Sequence, residues 1–407
     1  APLCGIAGYF GSRSINPGRL QDCLELMQRR GPDNSAYQHW ENAGGHNVYV
    51  LHSRLNIIDL EERSNQPFLI NRKSMVYNGE LYNYIELRTA LAAHGCTFRT
   101  ESDTEVLLSG IDLFGVSWLD RCEGMWSFVV YDELENSLLL CRDRFGEKPL
   151  YLYRDTDGLY FGSEVKFIFA LLGRALDINF EQVYRHMVNG YKALYKGKDT
   201  FFEGLCELDP GFVLELDRSG FEKRTRYWEP SFGQHEGMTY ADAVAGVRER
   251  LIHSVELRLR SDVPLAFCMS GGVDSNALIS IAKRKFDYDV HGFTVMSEDE
   301  RYDERSEVEK VVRELDIRHT PVSITGQNFI QNLHELIGQH DAPVYTISYY
   351  VQWLLMEHIA QHGYRISVSG TAADELLTGY YDHQNLYLNE LQNTPLLEKA
   401  LADWTSY

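Results

Sequence analysis

The stretch Phe267-Cys268-Met269-Ser270-Gly271-Gly272-Val273-Asp274-Ser275-Asn276 carries the residue types that handle phosphate. The apolar run 263–269 reads as a buried strand, and residues 276–282 open an apolar helix. Two glycines between them free the backbone to turn sharply. A strand, a glycine turn and a helix N-terminus make a phosphate cradle, because unpaired N–H groups and the helix dipole converge on one spot. Asp274 has the wrong charge to touch phosphate itself, so it suits a cation that does. The spacing is not that of Walker A, since no Lys-Ser or Lys-Thr ends the turn. An ordinary tight turn is the competing reading. A second set of motifs lies in the first half: Cys4-Gly5-Ile6, Arg29-Arg30-Gly31-Pro32-Asp33, Ser53-Arg54-Leu55-Asn56-Ile57-Ile58-Asp59, Asn78-Gly79-Glu80-Leu81-Tyr82-Asn83 and Glu101-Ser102-Asp103-Thr104-Glu105. Each taken alone has a plain structural reading, Asn78-Gly79 as a hairpin turn and Arg54 as a surface ion pair.

The elements that must position these residues follow two rhythms. Residues 4–10 read as a strand turning at Gly11, and Leu20, Cys23, Leu24 and Met27 share one face of a helix. Arg30-Gly31-Pro32-Asp33 stops that helix. Strands then dominate to about residue 228, at 46–51, 74–77, 128–131, 137–141 and 158–162, with a helix through Ile85, Leu87 and Leu91 after the Asn-Gly turn. This half is expected to be antiparallel strands packed with helices. Residues 229–237 are polar, hold Pro and Gly and lack periodicity, as a linker does. Thr239 can cap the next helix, where Val244, Val247, Leu251 and Val255 share a face. Strands at 263–269, 291–296, 320–324 and 364–368 then alternate with helices marked by Val308, Val311, Val312 and Leu315 and by 350–360. That alternation predicts a parallel α/β sheet.

The bulk numbers set limits. At 407 residues, 44% hydrophobic and 24% charged, the chain fits two or three globular domains. No run of eighteen apolar residues occurs, and no signal-peptide pattern opens the sequence. A net charge of −20 argues against a nucleic-acid or anionic-membrane partner. Seven cysteines without a Cys-x-x-Cys pair favour a reducing compartment, so a cytoplasmic location is expected.

The string Ser-Gly-Gly-Val-Asp-Ser resembles the pyrophosphatase loop of ligases that adenylate their substrate and release pyrophosphate. The first-half motifs resemble the class II glutamine amidotransferase domain. The likeness continues through Glu123-Gly124-Met125-Trp126-Ser127-Phe128, Arg142-Asp143-Arg144-Phe145-Gly146-Glu147-Lys148-Pro149-Leu150-Tyr151 and Ser163-Glu164-Val165-Lys166. In this order, the motifs resemble the glutamine-hydrolysing asparagine synthetase family over nearly the whole chain. The resemblance implies a mixed α/β and α+β architecture. An N-terminal Ntn-hydrolase αββα sandwich (1–205) and a connecting segment (206–237) would precede a doubly wound parallel α/β ATP-pyrophosphatase, HUP-like domain (238–407).

The same resemblance implies the roles. Cys4 would be the nucleophile attacking the glutamine carboxamide. Asn78 and Gly79 would form the oxyanion hole, two donors at one turn. Arg54 would grip the substrate carboxylate, with Ile57 and Ile58 beside it, while Glu80 and Asp103 would receive its ammonium. Cys268, Ser270, Gly271, Gly272, Asp274, Ser275, Val295, Ser369 and Gly370 would line ATP. Asp274 and Asp374 would share Mg²⁺, although acids at helix starts also serve as caps. Glutamine, ATP and a carboxylate acceptor are the expected partners, and a homodimer is an assembly the family allows. The leading acceptor is aspartate; a sugar uronic acid or secondary metabolite is the alternative, and a non-catalytic family member the rival.

Three features depart from the family pattern. The family's base is the cysteine's own α-amine, with a pKa of roughly 7.7–8.0. Here Ala1-Pro2-Leu3 precede Cys4, so the active form is expected to begin at the cysteine, with those residues removed or an added remnant. Thr371 stands where the family carries an acid after Ser-Gly, which leaves the acceptor open. The sequence stops at Tyr407, before the family's C-terminal helical portion, which would leave the synthetase half incomplete if that is the native length. His358 and His362, at i and i+4, read as surface residues because no third ligand is near.

Overall fold

A computed structural model of the chain describes residues 4–41, 45–190, 197–233, 237–296, 299 and 304–405. Ala1-Pro2-Leu3, part of the expected linker (234–236) and residues 301–303 lie outside the described residues. The chain divides into two compact units, Ala1–Pro264 with Thr325–Arg365, and Leu265–Ile324 with Ile366–Tyr407.

The first unit holds strands β1 (Gly5–Gly11), β2 (Asn34–Glu41), β3 (Asn47–Arg54), β4 (Phe68–Ile70), β5 (Lys73–Leu81), β6 (Gly124–Asp132), β7 (Ser137–Arg142), β8 (Tyr151–Arg154), β9 (Gly158–Gly162), β10 (Leu205–Glu207), β11 (Phe212–Leu216) and β12 (Glu222–Arg226). They form two antiparallel six-stranded sheets, ordered β10-β8-β9-β1-β3-β2 and β12-β11-β7-β6-β5-β4. Its first helices are α1 (Pro17–Met27), α2 (Tyr84–Ala93), α3 (Asp103–Phe114), α4 (Val165–Leu172), α5 (Phe180–Asn189) and α6 (Tyr240–Arg258).

Strand alternation sorts the apolar residues into three layers. Ile6 and Phe10 of β1, Val48 and Val50 of β3, Val76 of β5 and Val129 of β6 meet between the sheets. The opposite faces carry Ala7, Tyr9, Tyr49 and Leu51, packed under α1 and α4. On the second sheet, Met75, Tyr77, Phe128 and Val130 pack under α2 and α3. Helix, sheet, sheet, helix is the αββα sandwich.

Two expectations change here. Residues 206–237 were read as a connecting segment, yet β11 and β12 within them extend the second sheet, with Val213, Leu214 and Leu216 buried. Charged Lys223 and Arg224 disguise β12, which is an edge strand with a solvent face. Asn78-Gly79 is not a turn: both residues lie inside β5, paired with Ser127 and Trp126. Helix α6 starts with the Thr239 cap that its sequence promised, which Asp242 completes into a capping box. Of its expected face only the last turn is sunk, with Val255 buried and Val244 and Val247 about half exposed.

The second unit carries β13 (Leu265–Cys268), β14 (His291–Met296), β15 (Arg318–Ser323) and β16 (Ile366–Val368), with α7 (Val273–Phe286) and α8 (Arg305–Leu315). The four strands are parallel in the order β15-β14-β13-β16. β13 is shorter than the apolar run that announced it, because Pro264 cannot join the ladder. Helices α9 (Phe329–His340) and α10 (Ile347–Gln361) lie between β15 and β16 in sequence and belong to the first unit; α11 (Ala373–Leu377), α12 (Tyr381–Glu390) and α13 (Leu397–Thr405) close the chain.

Candidate functional site

In the first unit, strand parity brings the reactive residues together. Cys4 shares the face of Ile6, Arg54 that of Val48 and Val50, and Asn78 and Glu80 that of Val76. All of these faces look into the space between the sheets. The Cys4 Sγ accepts from the Leu55 N–H at 3.3 Å. Burial pushes its thiol up to about 11; the Leu55 N–H and Arg54 oppose this, and Glu80 and Asp103 add to it.

Asn78 is 1% exposed; its Nδ2 lies 3.5 Å from Ser127 Oγ, and its Oδ1 has no hydrogen-bond partner among the described residues. Alternation points the N–H groups of Tyr77, Gly79 and Leu81 to one edge of β5. Tyr77 donates to Gln66 Oε1 at 2.6 Å and Leu81 to Asp103 Oδ2 at 3.0 Å. Between them, the Gly79 N–H has no side-chain acceptor among the described residues. A Cβ on Gly79 would come within 2.3 Å of the Met125 carbonyl, so the strand needs glycine here.

Asp103 is the first residue of α3, behind the Ser102 cap, and takes a further hydrogen bond from the Tyr77 hydroxyl at 3.2 Å. Burial raises its pKa, and burial together with Asp103 raises that of Glu80 well above the carboxylate range. A positive charge placed between two carboxyls held this way would favour their ionised forms. Arg54 is 4% exposed, and its Nη atoms already donate to the carbonyls of Glu61 (2.9 Å), Ile58 (3.3 Å) and Asp59 and to Asn65 Oδ1 (2.9 Å). The guanidinium therefore orders the loop carrying the buried Ile57 and Ile58, and its donors are engaged within the chain.

Two residues of this site escaped the sequence reading. Lys148 is 4% exposed, its pKa lowered by burial against the pull of Glu80. Its backbone is fixed by Asp143, a fully buried carboxylate that also takes the N–H groups of Trp126, Phe145 and Glu147. His52 is fully buried beside Arg54, and burial pushes it down to about 3, so its neutral ring contacts the Tyr77 carbonyl at 3.1 Å. Lys148 sat inside a quoted motif; nothing local marks either as buried.

In the second unit, numbering the strands from β13 gives the order 3-2-1-4, whose switch point falls between β13 and β16. Open α/β sheets bind ligands at that crevice, beyond the strand ends. Both nucleotide motifs leave from it. Ser270 Oγ lies 3.0 Å from Ser275 Oγ and accepts from the Gly272 N–H at 3.2 Å, while Gly271 N–H donates to Glu304 at 2.9 Å. The second loop packs against this turn, since a Cβ on Gly370 would lie 2.8 Å from Ser275 N and 3.1 Å from Asp274 Cβ. Asp274 is in the first turn of α7 and Asp374 in that of α11. Cys268 ends β13, and Val295 pairs with Val322 in β14. Thr371 is exposed and accepts from Ser369 Oγ at 3.0 Å. Among the described residues, no group of three or more His, Cys, Asp or Glu side chains could hold a metal. The ring of His362 contacts the His358 carbonyl at 2.8 Å, closing the end of α10.

Comparison with known proteins now bears on these two units. Residues 3–228 match the glutamine amidotransferase domain and residues 246–405 match asparagine synthase. Asparagine synthetase [glutamine-hydrolyzing] 3 of Bacillus subtilis is 29% identical over 403 residues, covering 93% of this chain and 63% of that protein. Asparagine synthetase [glutamine-hydrolyzing] 2 of the same organism is 33% identical over 314 residues, 73% of this chain and 40% of that one. Amidase chry2 of Gibberella zeae is 31% identical over 293 residues, 68% of this chain and 42% of that one. The chain thus spans a little over three-fifths of the length of curated relatives such as the first. With the amidotransferase match covering more than half its length and the asparagine synthase match following, the chain belongs to the glutamine-hydrolysing asparagine synthetase family.

Proposed function

We infer that the chain is a glutamine-dependent, ATP-dependent amidotransferase whose acceptor is aspartate. The observation that carries its glutaminase half is the gathering of Cys4, Arg54, Asn78 and Glu80 on the facing sides of the two sheets, with Asp103 at the edge of β5. Glutamine would enter with its ammonium toward Glu80 and Asp103 and its carboxylate toward Arg54. The Cys4 thiolate attacks the carboxamide carbon, and the oxyanion meets the Asn78 side-chain amide and the open Gly79 N–H. A thiol pushed up to about 11 needs a base, and the α-amine of Cys4 supplies it when Cys4 is the first residue. Ammonia leaves, and water releases glutamate from the thioester.

We assign ATP and the acceptor carboxylate to the second unit, where the Ser270–Ser275 turn and the Gly370 loop pack together at the switch point. Asp274 and Asp374 fit Mg²⁺ in the way that ion is used beside phosphates, by one or two carboxylates plus the phosphate oxygens. Bound there, the ion would neutralise the leaving pyrophosphate. The exposed Thr371, which cannot act as a carboxylate base near neutral pH, supports a second reading in which a different carboxylate is amidated. ATP–pyrophosphate exchange with aspartate and with uronic acids, run beside glutaminase assays, separates the two. Exchange with aspartate is expected; exchange only with a uronic acid would replace the first choice, and silence in both assays would leave a non-catalytic protein.

A further inference from the structure

Ser163-Glu164-Val165-Lys166 and Arg29-Arg30 took no part in the chemistry above, yet they surround the start of β1. Ser163 exchanges two hydrogen bonds with Ile6, its Oγ accepting from Ile6 N at 3.1 Å and its N–H donating to Ile6 O at 2.9 Å. Arg30 Nε donates to the Cys4 carbonyl at 2.9 Å, and its Nη1 meets Glu164 Oε1 at 2.9 Å. Glu164 Oε2 in turn holds Lys166 Nζ at 2.8 Å. Lys166 then leaves the sandwich: its Nζ reaches Asp341 Oδ2 and the Gln339 carbonyl, both at 2.9 Å, and its N–H reaches the same Asp341 oxygen at 3.1 Å. All four side chains are well sheltered, with exposures of 14, 22, 18 and 16% from Arg30 to Asp341, so solvent screens the chain of charges weakly. Burial raises the Asp341 pKa while Lys166 opposes it, as expected for a carboxylate held by its partner.

Asp341 caps the end of α9 and lies in the asparagine synthase match, whereas Arg30, Glu164 and Lys166 lie in the amidotransferase match. The same segment reaches the nucleophile's surroundings twice more, through Glu335 to Arg29 at 3.9 Å and through Arg365 to Asp33. It leaves the parallel sheet after β15 and returns at β16, the strand that runs into Ser369-Gly370. We propose that Asp341 is a positioning residue for Cys4, acting through Lys166, Glu164 and Arg30 on the Cys4 carbonyl. This rests on the glutaminase reading of Cys4. A thiol whose attack depends on the placing of its own main chain is sensitive to such a tether, since displacement of about 1 Å can cost on the order of a hundredfold in rate.

The test uses the full chain processed to begin at Cys4, the form whose α-amine is free. Asp341→Asn is isosteric, and Asn tolerates the left-handed conformation of this position (φ 53°). Lys166→Met removes the charge from the other side, and Lys166→Arg is the conservative control. Three quantities are read: glutaminase kcat and KM, the rate at which iodoacetamide alkylates Cys4 (followed on its peptide by mass spectrometry), and Tm. Asp341→Asn and Lys166→Met are expected to lower kcat about tenfold with KM within twofold, and to speed Cys4 alkylation at least threefold as the thiol loosens. Lys166→Arg should stay within threefold of the parent. Unchanged kcat and alkylation in both variants, even with a lower Tm, would reduce the network to a structural brace and overturn the proposal. A parent chain that hydrolyses no glutamine would sink the glutaminase reading instead, and the alkylation rates would still decide whether Asp341 positions the thiol.

Discussion

The proposed glutamine site and the proposed nucleotide site are built by opposite means. In the first unit the proposed chemistry is carried by buried side chains: Asp103 and Asn78 are 5% and 1% exposed, and Arg54 is spent on loop oxygens. In the second unit it is carried by backbone turns at a strand end, with Asp274 half-buried and Thr371 exposed. The difference matches the ligands. An amino acid is recognised by its fixed charges, which demand oriented and desolvated partners. A polyphosphate is recognised by N–H groups and metal ions, which a turn and two acids supply without a deep pocket.

The largest effect should expose this division directly. Cys4→Ala is expected to abolish glutamine hydrolysis, by several orders of magnitude, and to spare ATP–pyrophosphate exchange. Asp274→Asn should do the reverse, lowering exchange by about two orders of magnitude, the scale of losing ~2.7 kcal/mol of charge stabilisation. Steady-state assays of both reactions on both variants decide it. If either substitution silenced both reactions, the two sites would not be separate machines.

That division was only partly legible in the sequence. The parallel strands and the turn between β13 and α7 are local signals, an apolar run followed by glycines and an apolar helix, and they stand close to where the pattern put them. The sandwich site depends on pairing across the chain. Asn78-Gly79 looks like a hairpin turn by itself; only its neighbours on β6 make it a strand with one open N–H. Lys148 and His52 look like surface residues until Asp143 and the two sheets close over them. The family resemblance offered Arg54 as a clamp; its four loop acceptors were not legible, because nothing in the spacing says how residues 58–65 fold back. Lys223, Arg224 and Arg226 hid an edge strand for the opposite reason, since solvent accepts charges there.

Glycine substitutions sharpen the contrast at intermediate size. A methyl on Gly79 would meet the Met125 carbonyl at 2.3 Å and the Trp126 Cα at 2.8 Å, both backbone atoms that cannot swing aside. Gly79→Ala should therefore cost about 1–3 kcal/mol of stability and, by displacing an oxyanion donor, on the order of 10²–10³ in glutaminase kcat. Gly272 has φ −72°, and its methyl would meet only the Ser270 Oγ at 3.2 Å. Gly272→Ala in the ligand-free chain should stay within about 0.5 kcal/mol. Urea melts of the two variants rank them; equal losses would mean that the second site is packed as tightly as the first.

The smallest effect concerns the cost of burying charge. Burial and the neighbouring Asp103 raise the pKa of Glu80, with Lys148 opposing. A carboxyl whose pKa is raised on folding binds its proton more tightly in the native state. Its contribution to stability is therefore fully present below the unfolded value of about 4.3 and is lost as pH rises through the folded value. Glu80→Gln removes that loss. The variant should melt about 2–4 °C above the parent at pH 7, the shift that ~1 kcal/mol gives a unit of this size, and the gap should close as pH approaches 4. Glutamine hydrolysis should fall at the same time, because the substrate ammonium loses one of its two carboxylates. A variant less stable than the parent at pH 7 would mean that Lys148 already compensates Glu80 in full, and that the first site is a finished ion pair and not a carboxyl pair waiting for a cation.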